Sequence, residues 1–114
     1  MTIKFGTDGW RAIIAKDFTV DNVARVAQGT AEWLLKTNPS PTLVLGSDCR
    51  FGGRMFAETV ALVMAQNGVK VLWDRNDFVS TPMVSLGTVH HGAQAGVILT
   101  ASHNPPSYNG FKIK

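Results

Sequence analysis

Thr42-Leu43-Val44-Leu45-Gly46 and Val69-Lys70-Val71-Leu72-Trp73 are two short apolar runs of strand length, and the segment between them is spaced like a helix. Phe56, Val60, Val63 and Met64 recur at i, i+4, i+7 and i+8, so a helix over about 53–67 carries all four on one face. Gly68 suits the left-handed residue that ends such a helix. Strand, helix and strand in that order are the unit from which a parallel sheet is built.

The same pattern extends in both directions. Upstream, Thr19 is an N-cap for a helix over about 20–36, with Val20, Val23, Ala24, Ala27, Ala31, Leu34 and Leu35 on its apolar stripe. Asn38-Pro39-Ser40-Pro41 ends it. Downstream, Ser80 or Thr81 caps a third helix with Pro82 in its first turn, running to about His91. Ala95-Gly96-Val97-Ile98-Leu99-Thr100 reads as a buried strand that opens into a polar loop, Asn109-Gly110 as a turn, and Phe111-Lys112-Ile113-Lys114 as the start of another strand. The expected fold is α/β: a single domain over 1–114, a three-layer α/β/α sandwich with a mixed, mainly parallel sheet of about four strands.

Composition narrows the function. The 114 residues are 45% hydrophobic and 17% charged, which suits one packed core. No apolar run approaches the roughly 20 residues of a membrane-spanning helix, and Met1–Gly6 has no apolar signal region, so a soluble, cytoplasmic protein without membrane contacts is expected. Cys49 is the only cysteine, which excludes an intramolecular disulfide and an all-cysteine metal site. The net charge of +3 is spread along the chain without a basic block, so nucleic acid is not an expected partner. A mild positive balance does suit a small anionic substrate. Trp10, Trp33 and Trp73 are assigned to packing, and His90 and His91 to a helix end favourable to cations.

Ligands of such sheets bind beyond the carboxyl ends of the strands. Two polar loops leave those ends, Ser47-Asp48-Cys49-Arg50 and Ala101-Ser102-His103-Asn104, and Phe5-Gly6-Thr7-Asp8-Gly9-Trp10-Arg11 is similarly small and polar. In Thr100-Ala101-Ser102-His103-Asn104-Pro105-Pro106 two prolines stiffen a loop that presents a hydroxyl, an imidazole and an amide. Ser102 and His103 are adjacent, poor geometry for a serine–histidine relay, and no G-x-S-x-G elbow is present, so acyl hydrolysis is not expected. A turn at Asn109-Gly110 would fold Lys112 back toward Ser102, and a cation beside a serine favours phosphate there. Arg11 is placed in a loop with Gly6 and Gly9, where backbone N–H groups and a guanidinium can converge on an anion. Asp48 and Arg50, two apart, are read as a structural ion pair.

These segments resemble the α-D-phosphohexomutases, which include phosphoglucomutase and phosphomannomutase. Phe5–Arg11 looks like the family's F-G-T-[SD]-G-x-R, Gly46–Arg50 like its G-x-D-x-R, and Thr100–Pro105 with Tyr108–Lys112 like its phosphoserine loop and the segment after it. The resemblance implies interconversion of hexose 1-phosphates and 6-phosphates through a hexose 1,6-bisphosphate. It implies that Ser102 is the phosphorylated residue and, through its phosphate, one ligand of Mg²⁺. It further implies that Lys112 and His103 serve proton transfer or hold the reacting groups, that Arg11 is a catalytic residue that helps build the site around the phosphoserine, and that Arg11 and Lys112 bind substrate. A lysine at its ordinary pKa of about 10.4 is a cation at neutral pH, so work as a base asks for a lower value.

Segment 104–112 looks more like the glucose/mannose branch than the phosphoglucosamine branch. Family members have four domains, so the chain is expected to be their domain I, clipped at its C-terminal end. Alone it would lack the metal carboxylates, sugar-reading loop and distal phosphate clamp of domains II–IV. Inactivity and self-association through uncovered surfaces are then expected. The alternative is a stand-alone anion-binding or interaction module without catalysis.

Overall fold

The computed structural model describes residue 3 and residues 9–73, 79–101 and 104–114. Its elements run β1 (Gly9–Ile13), α1 (Val20–Thr37), β2 (Thr42–Ser47), α2 (Gly53–Gln66), β3 (Lys70–Trp73), α3 (Thr81–His90), β4 (Ala95–Leu99) and β5 (Tyr108–Ile113). The expected caps are present. The Thr19 hydroxyl accepts from the Asn22 N–H at the start of α1, and the Ser80 hydroxyl from the Met83 N–H at the start of α3. Gly68 is left-handed just beyond α2, at φ +81°.

The strands form one sheet in the order β1-β5-β4-β2-β3. β2 pairs parallel with β3 and β4, while β5 pairs antiparallel with β4 and β1. The sheet is therefore mixed, with five strands where about four were expected and with parallel and antiparallel pairings equal in number. The additional strand is β1. Its Trp10 and Ala12 alternate into the core, yet its glycine and arginine make the segment read as a loop. Asn109-Gly110 is likewise no turn but lies inside β5, extended opposite Ala12 and Arg11. The reversal comes earlier, where the Tyr108 N–H donates to the Pro105 carbonyl.

α1 and α2 pack together on one face of the sheet. Val23, Ala27, Ala31 and Leu34 from α1 and Phe56, Val60 and Met64 from α2 meet Leu43, Leu45, Val97, Leu99 and Phe111. Val26 and Thr30 complete the buried stripe of α1, whereas Val20 and Leu35 at its edges are exposed. Trp10 stacks on Phe18 at 4.6 Å between ring centroids, and Phe18 meets Phe56 edge-on at 4.8 Å, tying β1 to α2.

α3 covers the opposite face, over β2 and β4. A Cβ built on Gly46 would lie 2.2 Å from Val79 Cγ2 and 2.8 Å from Val84 Cγ2, so the helix and the loop before it can approach only where the strand has no side chain. Three layers result. Over β1 and β5 the same face carries Arg11 and Lys112, because Trp10 and Phe111, their chain neighbours, point into the core.

Candidate functional site

The carboxyl ends of β2 and β4 lie side by side, with Ser47 opposite Leu99. Their loops therefore emerge together. The loop after β2 bends back on itself: one carboxylate oxygen of Asp48 accepts from the Arg50 N–H at 3.0 Å. The other accepts from the Thr100 hydroxyl at 2.5 Å and lies 3.5 Å from Arg50 Nε. One aspartate thus joins the two loops across fifty-two residues of sequence.

Arg50 then reaches the loop after β4. Its Nη1 donates to the carbonyls of Pro105 (2.8 Å) and Tyr108 (3.2 Å), and its Nη2 to that of Asn104 (2.9 Å). The arginine side chain is 14% exposed. A planar guanidinium with five donors in a fixed fork suits converging carbonyls in a segment where Pro105 and Pro106 carry no N–H. The structural reading of Asp48 and Arg50 agrees with this geometry, although the reach of Arg50 into a loop more than fifty residues away is not visible in a two-residue spacing.

Arg11 is placed differently. It lies in β1, not in a loop, paired with Gly110 of β5, and its side chain is exposed. Its Nη1 donates to Asn104 Oδ1 at 2.8 Å, which leans the guanidinium toward the loop that contains Ser102. Gly110 makes room for that lean: a Cβ there would lie 2.5 Å from the Thr100 carbonyl oxygen and 3.0 Å from Arg11 Cγ. Lys112 sits two residues along β5 on the same face, opposite Ile98 and Gly9, and is 7% exposed. The structure thus brings Arg11 and Lys112 to one face beside the end of β4. The assignments to Ser102 and His103, and most of the Phe5–Arg11 motif, lie outside the described residues.

Asn104, Thr100, Asp48 and Arg50 were not among the site residues expected from sequence. The available signal was the pair of prolines: carbonyls in a loop short of N–H donors need a donor from elsewhere, and a buried guanidinium is the richest one.

Fit to Mg²⁺ can be tested on the donor set. Among the described residues no three His, Cys, Asp or Glu side chains group to hold a metal ion. The carboxylate at the site, Asp48, is engaged by Thr100 and Arg50. The described residues do not by themselves make the oxygen cage that Mg²⁺ prefers. No described helix is long and apolar enough to cross a membrane.

Comparison with known proteins bears on the fold and the family. The chain is 42% identical to a probable phosphoribomutase of Schizosaccharomyces pombe over 97% of its length and 20% of the relative's. It is 40% identical to a phosphoglucosamine mutase of Corynebacterium diphtheriae, over 99% of the chain and 26% of the relative. A crystal structure of a Thermus thermophilus protein assigned as a phosphomannomutase superposes with a TM-score of 0.95 at 38% identity, over 100% of this chain and 26% of that one. The chain therefore spans a fifth to a quarter of the curated relatives it matches. The family described as phosphoglucomutase/phosphomannomutase, alpha/beta/alpha domain I, matches residues 2–114, and the chain belongs to that family, the α-D-phosphohexomutases, as its domain I.

Proposed function

We propose that this domain carries the phosphoryl group of a sugar-phosphate mutase on Ser102. The carrying observation is the placement of two cations, Arg11 and Lys112, on one face of the sheet beside the end of β4, where the loop with Ser102 begins. In the proposed cycle the Ser102 Oγ–P bond breaks as a sugar hydroxyl attacks. The hydroxyl proton passes to a base, and a hexose 1,6-bisphosphate forms. The serine then regains a phosphoryl group from the other position of the sugar. Such transfer is mostly positioning and charge stabilisation, which a guanidinium and an ammonium supply to the phosphate oxygens. Lys112 and His103 are the candidates for moving the proton or holding the reacting groups. Arg11 and Lys112 would bind the substrate's phosphate.

Two relatives act, by their names, on a pentose phosphate and an amino-sugar phosphate, so a domain common to them supports the phosphoryl chemistry more than the choice of sugar. A hexose of the glucose/mannose type rests on segment 104–112 alone. Mg²⁺ would take from this chain a phosphate oxygen on Ser102 and the rest of its ligands from further domains, and the whole protein would be a cytoplasmic enzyme of sugar metabolism. The exposed Trp33, Leu62, Leu86 and Val89 suit contacts with additional polypeptide and, in the isolated domain, self-association.

A coupled assay with glucose 1-phosphate, glucose 1,6-bisphosphate and Mg²⁺ tests the reading. The 114-residue chain alone is expected to show no turnover, and a protein that also carries domains II–IV is expected to turn over and to yield phosphoserine at position 102 in peptide mapping. Full turnover by a Ser102→Ala variant of that longer protein would refute the assignment.

A further inference from the structure

We infer that Arg50, braced by Asp48, is a positioning residue that fastens the two flanks of the loop after β4, Thr100 on one side and Asn104–Tyr108 on the other. Three observations carry this. The guanidinium donates to three carbonyls that follow Ser102 in sequence, those of Asn104 and Pro105 in the loop and that of Tyr108 at the first residue of β5. Its Nε faces Asp48, whose carboxylate also takes the Thr100 hydroxyl on the near side of Ser102. Both flanks of the serine are thus fastened to the β2 loop through one ion pair. The described contacts of Arg50 are with a carboxylate and carbonyl oxygens, whereas Arg11 is exposed on the open face.

The need for such a device follows from the loop's own composition. Pro105 and Pro106 donate nothing, and the described internal bonds of the loop are those from the Asn104 N–H to the Ala101 carbonyl and from the Tyr108 N–H to the Pro105 carbonyl. Besides these turns the loop is tied at single points, by the Ile14 N–H to the Ser107 carbonyl and by Arg11 to Asn104 Oδ1, and single ties leave it room to rock about them. A planar fork that ties three carbonyls to a helix-bearing loop removes that freedom before any substrate binds, and a group held in line with its reaction partner reacts faster by lost entropy already met. A lysine cannot substitute, since its three donors diverge tetrahedrally and it has no counterpart of Nε to face Asp48.

That the group so presented is a phosphoryl-carrying serine rests on the function proposed above. The first test does not depend on it. Amide hydrogen exchange of the 114-residue chain is measured for the wild type, Arg50→Lys and Arg50→Ala. The expected result is exchange at the Asn104 and Tyr108 amides at least about tenfold faster in both variants, with the amides of α1 unchanged in Arg50→Lys and faster in Arg50→Ala only as far as its lower global stability requires. Unchanged protection at Asn104 and Tyr108 in either variant would overturn the inference. So would loss spread evenly over α1 and the loop in both variants, since Arg50 would then serve the fold at large. A kinetic arm follows the serine in the longer enzyme: Arg50→Lys should lower kcat at least about tenfold and leave KM within about threefold. A normal kcat, or a loss confined to KM, would overturn the catalytic half of the inference and leave the exchange result standing.

Discussion

Two arginines approach the same loop from opposite sides and are used in opposite ways. Arg50 comes from the β2 loop, is largely buried, and directs its guanidinium at one carboxylate and three carbonyls. Arg11 comes from the middle of β1, is exposed, and makes one described side-chain bond, to Asn104. A guanidinium enclosed by protein acceptors builds structure, and one left on an open face keeps donors for a ligand. The family resemblance treats both as motif arginines. Their surroundings separate them.

The substitution with the largest expected effect removes the floor beneath both regions. Gly110 lies where the Thr100 carbonyl, the Trp10 carbonyl and Arg11 Cγ all approach within 3.0 Å of a Cβ position. Two of the three are backbone and cannot swing aside. Gly110→Ala should therefore cost about 3–5 kcal/mol and part β5 from its neighbours. A thermal melt within a few degrees of wild type would mean the strands have slack there, and the contrast between the arginines would lose its common frame.

Arg50→Ala comes next, at about 2–3 kcal/mol. It strips three carbonyls of a charge-assisted donor and leaves the Asp48 carboxylate without its cation. Denaturant titration measures it. A loss below about 0.5 kcal/mol would place Arg50 with the surface arginines and dissolve the comparison. Thr100→Val removes the hydroxyl that donates to Asp48 and keeps the side-chain shape, for an expected loss of about 1–2 kcal/mol. In the Asp48→Asn background the two losses should not add, because both substitutions act on one contact.

How far these features are legible in sequence depends on their range. The βαβ unit from 42 to 73 is local: periodicity, a glycine stop and two apolar runs suffice, and the structure follows them closely. β1 and the first half of β5 are different. Gly9 and Arg11 face away from the core, so the segment shows only Trp10 and Ala12 as inward residues, too short an alternation to outweigh its loop-like composition. Asn109-Gly110 has the local signature of a turn, and what keeps it extended is pairing with Arg11 and Ala12, nearly a hundred residues earlier. The clamp by Arg50 is equally non-local. Its partners are fixed by the side-by-side emergence of two loops, a consequence of β2 and β4 being neighbours, which no spacing within either loop encodes. Arg11 and Lys112 are singled out by their chemistry, whereas their common face of the sheet depends on the β1–β5 pairing, which their local sequence does not announce.

The smallest effect on stability should belong to Arg11→Ala, and it sharpens the comparison most. The side chain is exposed and its described bond is a single one to an amide oxygen, so folding should change by about 0.5 kcal/mol or less. Its loss should fall on anions instead. With Ser102 as the proposed phosphoryl carrier, the same substitution in a protein that also carries domains II–IV should lower kcat/KM for a hexose phosphate by about a hundredfold or more, because an exposed guanidinium beside that serine would stabilise charge that grows in the transition state. Arg11→Lys should recover part of this, as the charge returns without the fork. Arg50→Lys should show the reverse profile, a local loosening with KM little altered. Equal losses of stability and of activity in Arg11→Ala would mean that it, too, is a structural arginine. The anion site would then have to be built from Lys112 and groups outside the described residues.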